Sequence, residues 1–160
     1  MSGIHRFFMM MVAAAGLFCT RPAHAAELLQ SKQGPYSFEV LNNGQRVSTF
    51  YHKGQSYVLG QNGQRYTIRV HNNSSRRVEA VVSVDGLDVL DGKKANFGKR
   101  GYLISAWSYV DIDGWRTSDA TVSAFRFSSV ANSYAARTSG DRNVGVIGVA
   151  IFQNTKRQGQ

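Results

Sequence analysis

Beyond Ser31 the apolar and polar residues of this chain alternate with a period of two, and helical spacing is hard to find. Side chains two apart lie on one face of a strand, so the pattern predicts sheet, and the alternating positions carry the β-branched and aromatic residues that suit a pleated surface. Tyr36, Phe38 and Val40 form the apolar face of a first strand, and a second, over 47–51, follows the dipeptide Asn43-Gly44. Asn-Gly supplies the positive φ angles of a tight hairpin. Asn62-Gly63 separates 57–59 from 66–70 in the same way; both turns continue as Asn-Gly-Gln-Arg and predict two hairpins of like chemistry.

The alternation is clearest from Tyr66 onward. Tyr66, Ile68 and Val70 oppose Thr67, Arg69 and His71, and Asn72-Asn73-Ser74-Ser75 reads as a hairpin loop. Val78, Ala80, Val82 and Val84 then form a dry face opposite a mixed one, and Asp85-Gly86 turns the chain into a short strand closed by Asp91-Gly92. Further strands are expected over 102–104, 109–112 and 121–127, with a helical turn hinted at over 128–137. The stretch 144–152 is apolar on both faces and predicts a central strand, in which Gly145 and Gly148 suggest a bulge or a close backbone approach. Nine or ten short strands with this turn rhythm predict an all-β fold, a single antiparallel β-sandwich or jelly roll spanning 36–153. Residues 26–35 read as a loose lead-in and 154–160 as a frayed tail.

The first 25 residues do not belong to that pattern. Arg6 precedes an uncharged apolar run of twelve residues, and Ala23-His24-Ala25 puts small residues where a signal peptidase reads them. The run is short against the roughly 20 residues of a membrane-crossing helix, so residues 1–25 are expected to be a signal peptide removed after Ala25, leaving no transmembrane span. Cys19 follows the run, yet bulky Phe18 stands where a lipid-attachment site needs a small residue. Removing 25 of 160 residues leaves 135 and takes away Cys19, Arg6 and Arg21, so the processed chain has no cysteine and a net charge of +7. It is expected to be exported, to the periplasm or beyond, and to owe its stability to burial rather than disulfides.

The chemistry-bearing motifs are few. Asp85, Asp88 and Asp91 with their glycines resemble a calcium loop, but the acids recur every third residue with no closing glutamate, and turn chemistry explains Asp85 and Asp91 more simply. Asp111 and Asp113 share one face and read as turn residues as well. Gly86 to Lys93 has the wrong spacing for a phosphate loop, and Lys94 stands where a magnesium-holding hydroxyl belongs, so no cofactor is implied. His52 and His71 are the only histidines after residue 25, and neither sits in a catalytic motif.

Basic and aromatic residues are better supplied. Arginines and lysines crowd the middle and C-terminal third with Tyr102, Trp107, Tyr109, Trp115 and Tyr134 between them, although Tyr109 and Trp115 also suit a sandwich core. Arginine forks match phosphate or carboxylate, and flat rings stack on sugars. Export disfavours nucleic acid as partner and favours an anionic envelope polymer, a lipid headgroup or a protein.

The runs at 81–92 (Val-Val-Ser-Val-Asp-Gly-Leu-Asp-Val-Leu-Asp-Gly), Gly114-Trp115-Arg116-Thr117-Ser118, Phe125-Arg126-Phe127, Ser133-Tyr134-Ala135 and 144–152 (Val-Gly-Val-Ile-Gly-Val-Ala-Ile-Phe) resemble those of a family of uncharacterised exported bacterial proteins. The resemblance covers about half the chain and implies no activity or catalytic residues. Its motifs set polar residues just beyond apolar strands, so Asp85 and Arg116 are expected to meet at one end of the sandwich with Trp115 capping the core. A ligand groove would be lined by Arg100, Tyr102, Trp115, Arg116, Tyr134 and Arg137. The expected function is a non-enzymatic binding or structural module of the envelope. The alternatives are a hydrolase or metal-dependent enzyme built on Asp85, Asp88 and Asp91, and a subunit of a larger envelope assembly.

Overall fold

A computed structural model describes residues 6–13, 34–118, 121–128 and 144–153. The described chain is all-β, and its strands run in the order β1 (Arg6–Ala13), β2 (Tyr36–Asn42), β3 (Gln45–Arg46), β4 (Thr49–His52), β5 (Gln55–Leu59), β6 (Thr67–Asn72), β7 (Val78–Val84), β8 (Leu87–Asp88), β9 (Tyr102–Ile104), β10 (Ser108–Ile112), β11 (Gly114–Ser118), β12 (Thr121–Ala124) and β13 (Val146–Gln153). One sheet has the order β4-β5-β1-β13-β7-β8, with β9 also on β7; a second has the order β10-β6-β2-β3; β11 and β12 form a separate ribbon. All pairs are antiparallel except β1 with β5.

The core lies between the two large sheets. Phe38, Val40, Ile68, Val70 and Ile112 from one join Val58, Val78, Val82, Ile147 and Val149 from the other in a single buried cluster. These are the alternate positions that the period-two pattern puts on one face, so the layers are joined by side-chain burial. Tyr66 closes one end by stacking on Phe125 and tilting against Phe127, with ring centroids 5.2 and 4.5 Å away, and Trp115 and Phe125 meet edge to face at 4.8 Å. No helix among the described residues is long and apolar enough to cross a membrane.

Several local expectations change. The strand expected over 47–51 appears as β4 at 49–52 and pairs with β5 in one sheet, while the short β3 before it pairs with β2 in the other; the chain crosses between them at Val47, whose N–H bonds Val40 O at 2.9 Å. Asn43-Gly44 does form the two-residue hairpin, with φ of 48° and 76°. Asn62-Gly63 does not form its twin. Only Gly63 has positive φ, Gln64 N–H bonds Gln61 O, and the turn links β5 to β6 in different sheets. The loop 72–75 likewise carries the chain between sheets, and Lys53-Gly54 makes the β4–β5 hairpin instead. Twelve of the thirteen described strands fall within 36–153, against nine or ten expected there, and two of the twelve, β3 and β8, are only two residues long.

The last apolar run is central, as its two dry faces imply, lying between β1 and β7. No bulge occurs at Gly148, which stays in register with Ser83 and Met9. β1 falls within the stretch that reads as a leader and bridges β5 and β13. The suggested helical turn lies outside the described residues save Ser128.

Candidate functional site

The loop between β7 and β9 assembles one end of the sandwich. Asp85 and Gly86, with φ of 56° and 79°, form the hairpin that starts it. The Asp85 carboxylate accepts the Gly145 N–H at 2.7 Å, and Asp85 N–H bonds Val146 O at 2.9 Å. Asp85 therefore fixes the start of β13 and does not meet Arg116 as expected. Burial pushes its carboxyl above the usual range, with the Gly145 N–H acting against that shift.

Asp88 is 1% exposed. Its carboxylate turns back to accept the Leu90 N–H at 2.8 Å, while Asp88 N–H and C=O bond Lys93 O and Gly92 N–H. Burial raises its pKa, the Leu90 N–H opposing. Asp91 faces water, accepts Lys93 N–H at 2.9 Å and pairs with Lys99 Nζ at 2.8 Å, which lowers its pKa. The three carboxylates thus serve three separate local structures. No group of three or more His, Cys, Asp or Glu side chains among the described residues is placed to hold a metal ion.

Of the six residues expected to line a groove, the fold brings Tyr102 and Arg116 together. Burial raises the Tyr102 phenol, and the nearby charge of Arg116 partly offsets that, while Asp88 and Asp113 add to it. The β11 strand is docked there by Arg116 N–H on Val89 O at 2.9 Å, leaving the Arg116 side chain exposed. Arg100 is exposed just before Gly101, whose N–H bonds Glu79 Oε1 at 2.7 Å. Trp115 is half-buried against the core and belongs to its rim. Tyr134 and Arg137 lie outside the described residues.

A second set was not singled out from the sequence. On the outer face of the four-stranded sheet, Arg69 binds both oxygens of Asp111 at 2.6 and 2.7 Å, and Thr67 Oγ1 donates to Asp113 at 2.6 Å. Glu39 holds His71 Nε2 at 2.9 Å and also pairs with Arg46. The Arg69 guanidinium lies 4.3 Å from the Tyr109 ring centre, and Tyr109 is 53% exposed rather than a core residue. Asp111 is the cross-strand partner of Arg69, and Asp113, in the link between β10 and β11, accepts from Thr67. The signal was present in the matching periods of Thr67-x-Arg69-x-His71 and Tyr109-x-Asp111-x-Asp113, whose charges complement each other across the antiparallel pair. Trp107, at the adjoining loop, is 72% exposed with φ of 56°, a left-handed backbone that a bulky residue seldom adopts.

Comparison with known proteins finds no matching family model, no matching curated protein and no matching solved structure.

Proposed function

We propose that this chain is a non-enzymatic exported envelope protein, a β-sandwich binding or structural module whose basic, aromatic end engages an anionic polymer of the cell envelope. The observation that carries this reading is the arrangement around Tyr102. Arg116 is exposed beside it, Arg100 is exposed two residues earlier in the chain, and Lys93 and Lys94 lie on the loop that closes over Asp88. Two nearby carboxylates, Asp85 and Asp88, are turned onto backbone N–H groups, and the exposed Asp91 is paired with Lys99. Arg100, Arg116, Lys93 and Lys94 face water, and the chain less residues 1–25 carries a net charge of +7. The apolar run before Ala25 supports export, and the resemblance to exported bacterial proteins supports the envelope as destination.

The test is retention on immobilised anionic glycan against a neutral glycan of equal length. Retention is expected at about 0.1 M salt and loss at about 1 M, where the screening length falls from about 10 to about 3 Å. Arg116→Ala keeps the N–H that docks β11, so its melting temperature is expected to stay put while retention falls. Equal retention on the neutral glycan, or retention indifferent to salt, would remove the proposal.

A further inference from the structure

The strand β1 occupies a place that the processed protein has to fill from elsewhere. It runs antiparallel to β13, with Phe8 opposite Val149 and Met10 opposite Ile147, and parallel to β5, with Val12 opposite Val58. Val58, Ile147 and Val149 are among the most deeply buried side chains of the core. Removing residues 1–25 takes β1 out of the middle of the sheet. Two strand spacings, about 10 Å, then separate β5 from β13, and each presents an unpaired row of backbone N–H and C=O groups.

The β4–β5 hairpin is held back from closing that gap. At one end Val47 N–H bonds Val40 O in the other sheet. Beyond β5, Gly60 is pressed so close to Phe127 that a Cβ there would sit 2.2 Å from its ring, and Gly63 N–H bonds Phe127 O at 2.7 Å. Sliding β5 onto β13 would break these ties.

We infer that the slot between β5 and β13 is a strand-acceptor site, filled after processing by an extended segment of a different exported polypeptide. The inference rests on the export reading above. The occupant's chemistry is given by the slot: large apolar residues at three alternate positions, opposite Val149, Ile147 and Val58, with backbone hydrogen bonds to both neighbours. At Gly148 and Ala150, opposite Met9 and Phe7, β13 carries only small residues. A second copy does not offer such a segment. Residues 26–33, 129–143 and 154–160 contain no run with large apolar residues at three alternate positions. Strand addition of this kind draws affinity from the main-chain ladder and specificity from alternate pockets.

The experiment expresses the whole gene with its own leader, recovers the exported protein and reads its N-terminus by mass spectrometry. The probe is a synthetic peptide of residues Arg6–Ala13 with added terminal lysines; the control peptide carries Phe8→Asp and Met10→Asp. Protein beginning at Ala26 is expected to bind the probe one to one, to gain about 5 °C or more in melting temperature, and to protect the β5 and β13 amides from exchange only when the probe is present. The control peptide is expected to bind at least about tenfold more weakly, as buried charge opposite Val149 and Ile147 requires. Processed protein whose β5 and β13 amides are already protected, and which ignores the probe, overturns the inference while leaving export intact. Light scattering then tells closure within one chain from pairing between copies. An unprocessed N-terminus overturns the export reading itself, and the inference with it.

Discussion

Glu39 shows how one side chain can set the acid limit of the fold. It is buried in β2, and burial alone would push its carboxyl up, but hydrogen bonds from His71 and Arg46 outweigh that and hold it below its ordinary 4.5. A carboxyl lowered in the folded state contributes stability above its unfolded pKa and loses it as pH falls through the folded value. Glu39→Gln is therefore expected to cost about 1–2 kcal/mol at pH 7, the scale of a charge-assisted hydrogen bond. The difference from the parent should shrink below pH 4.5 and vanish in stronger acid, as read by urea unfolding across a pH series. A gap of constant size would mean that shape, not charge, is what Glu39 supplies. Asp85 and Asp88 act with the opposite sign: raised by burial, they bind protons more readily when folded and weaken the fold as pH climbs through their folded values.

Among the elements, β7 shows the closest fit between sequence and structure. Its dry face was legible in Val78, Ala80, Val82 and Val84, and all four are buried. The neighbour on its edge was not legible, because what brings β9 to β7 is a missing side chain. A Cβ at Gly101 would stand 2.2 Å from Ala80 O. Gly101→Ala is expected to destabilise by about 1–3 kcal/mol through crowding. Gly44→Ala, with nothing within 4 Å but a φ of +76°, should lose about 1 kcal/mol through backbone strain alone. Thermal unfolding of the pair separates the two causes; equal losses would show that no crowding exists at Gly101. The same limit explains the two Asn-Gly turns. Local chemistry predicts a turn at both, but which strands a turn joins depends on where each strand finds its partner, and Leu59 finds it in the opposite layer from Thr67. At the candidate site, Tyr102 and Arg116 were legible as basic and aromatic neighbours of apolar strands. The inward turn of Asp88 was not, since its burial is created by the long loop folding over it.

At the scale of the molecule, the two layers are tied by polar groups as well as by the core. Asn72 is fully buried at the end of β6, and its Nδ2 reaches Arg76 O at 2.7 Å, Ser105 O at 2.9 Å and Ile104 O at 3.2 Å, while Oδ1 accepts from Ser74. One amide thus links the four-stranded sheet to the end of β9 in the other and shapes the loop between them. Asn72→Ala strips those carbonyls of their donor and is expected to cost about 2–4 kcal/mol, among the larger single-site losses, with unfolding remaining a single transition. Calorimetry checks this, and two resolved transitions would show the layers to be independent.

The order of the strands has a kinetic corollary. β13 lies between strands drawn from residues 6–13 and 78–84, and β2 and β10 flank β6 across long stretches of sequence. Pairings of that reach delay folding to the millisecond-to-second range, because loop closure must come before any reward from contact. The larger sheet cannot knit until residues 146–153 have arrived. A chain that assembles so late stays threadable through a narrow pore for longer, and slowness becomes an asset to any polypeptide that has to be translocated before it folds.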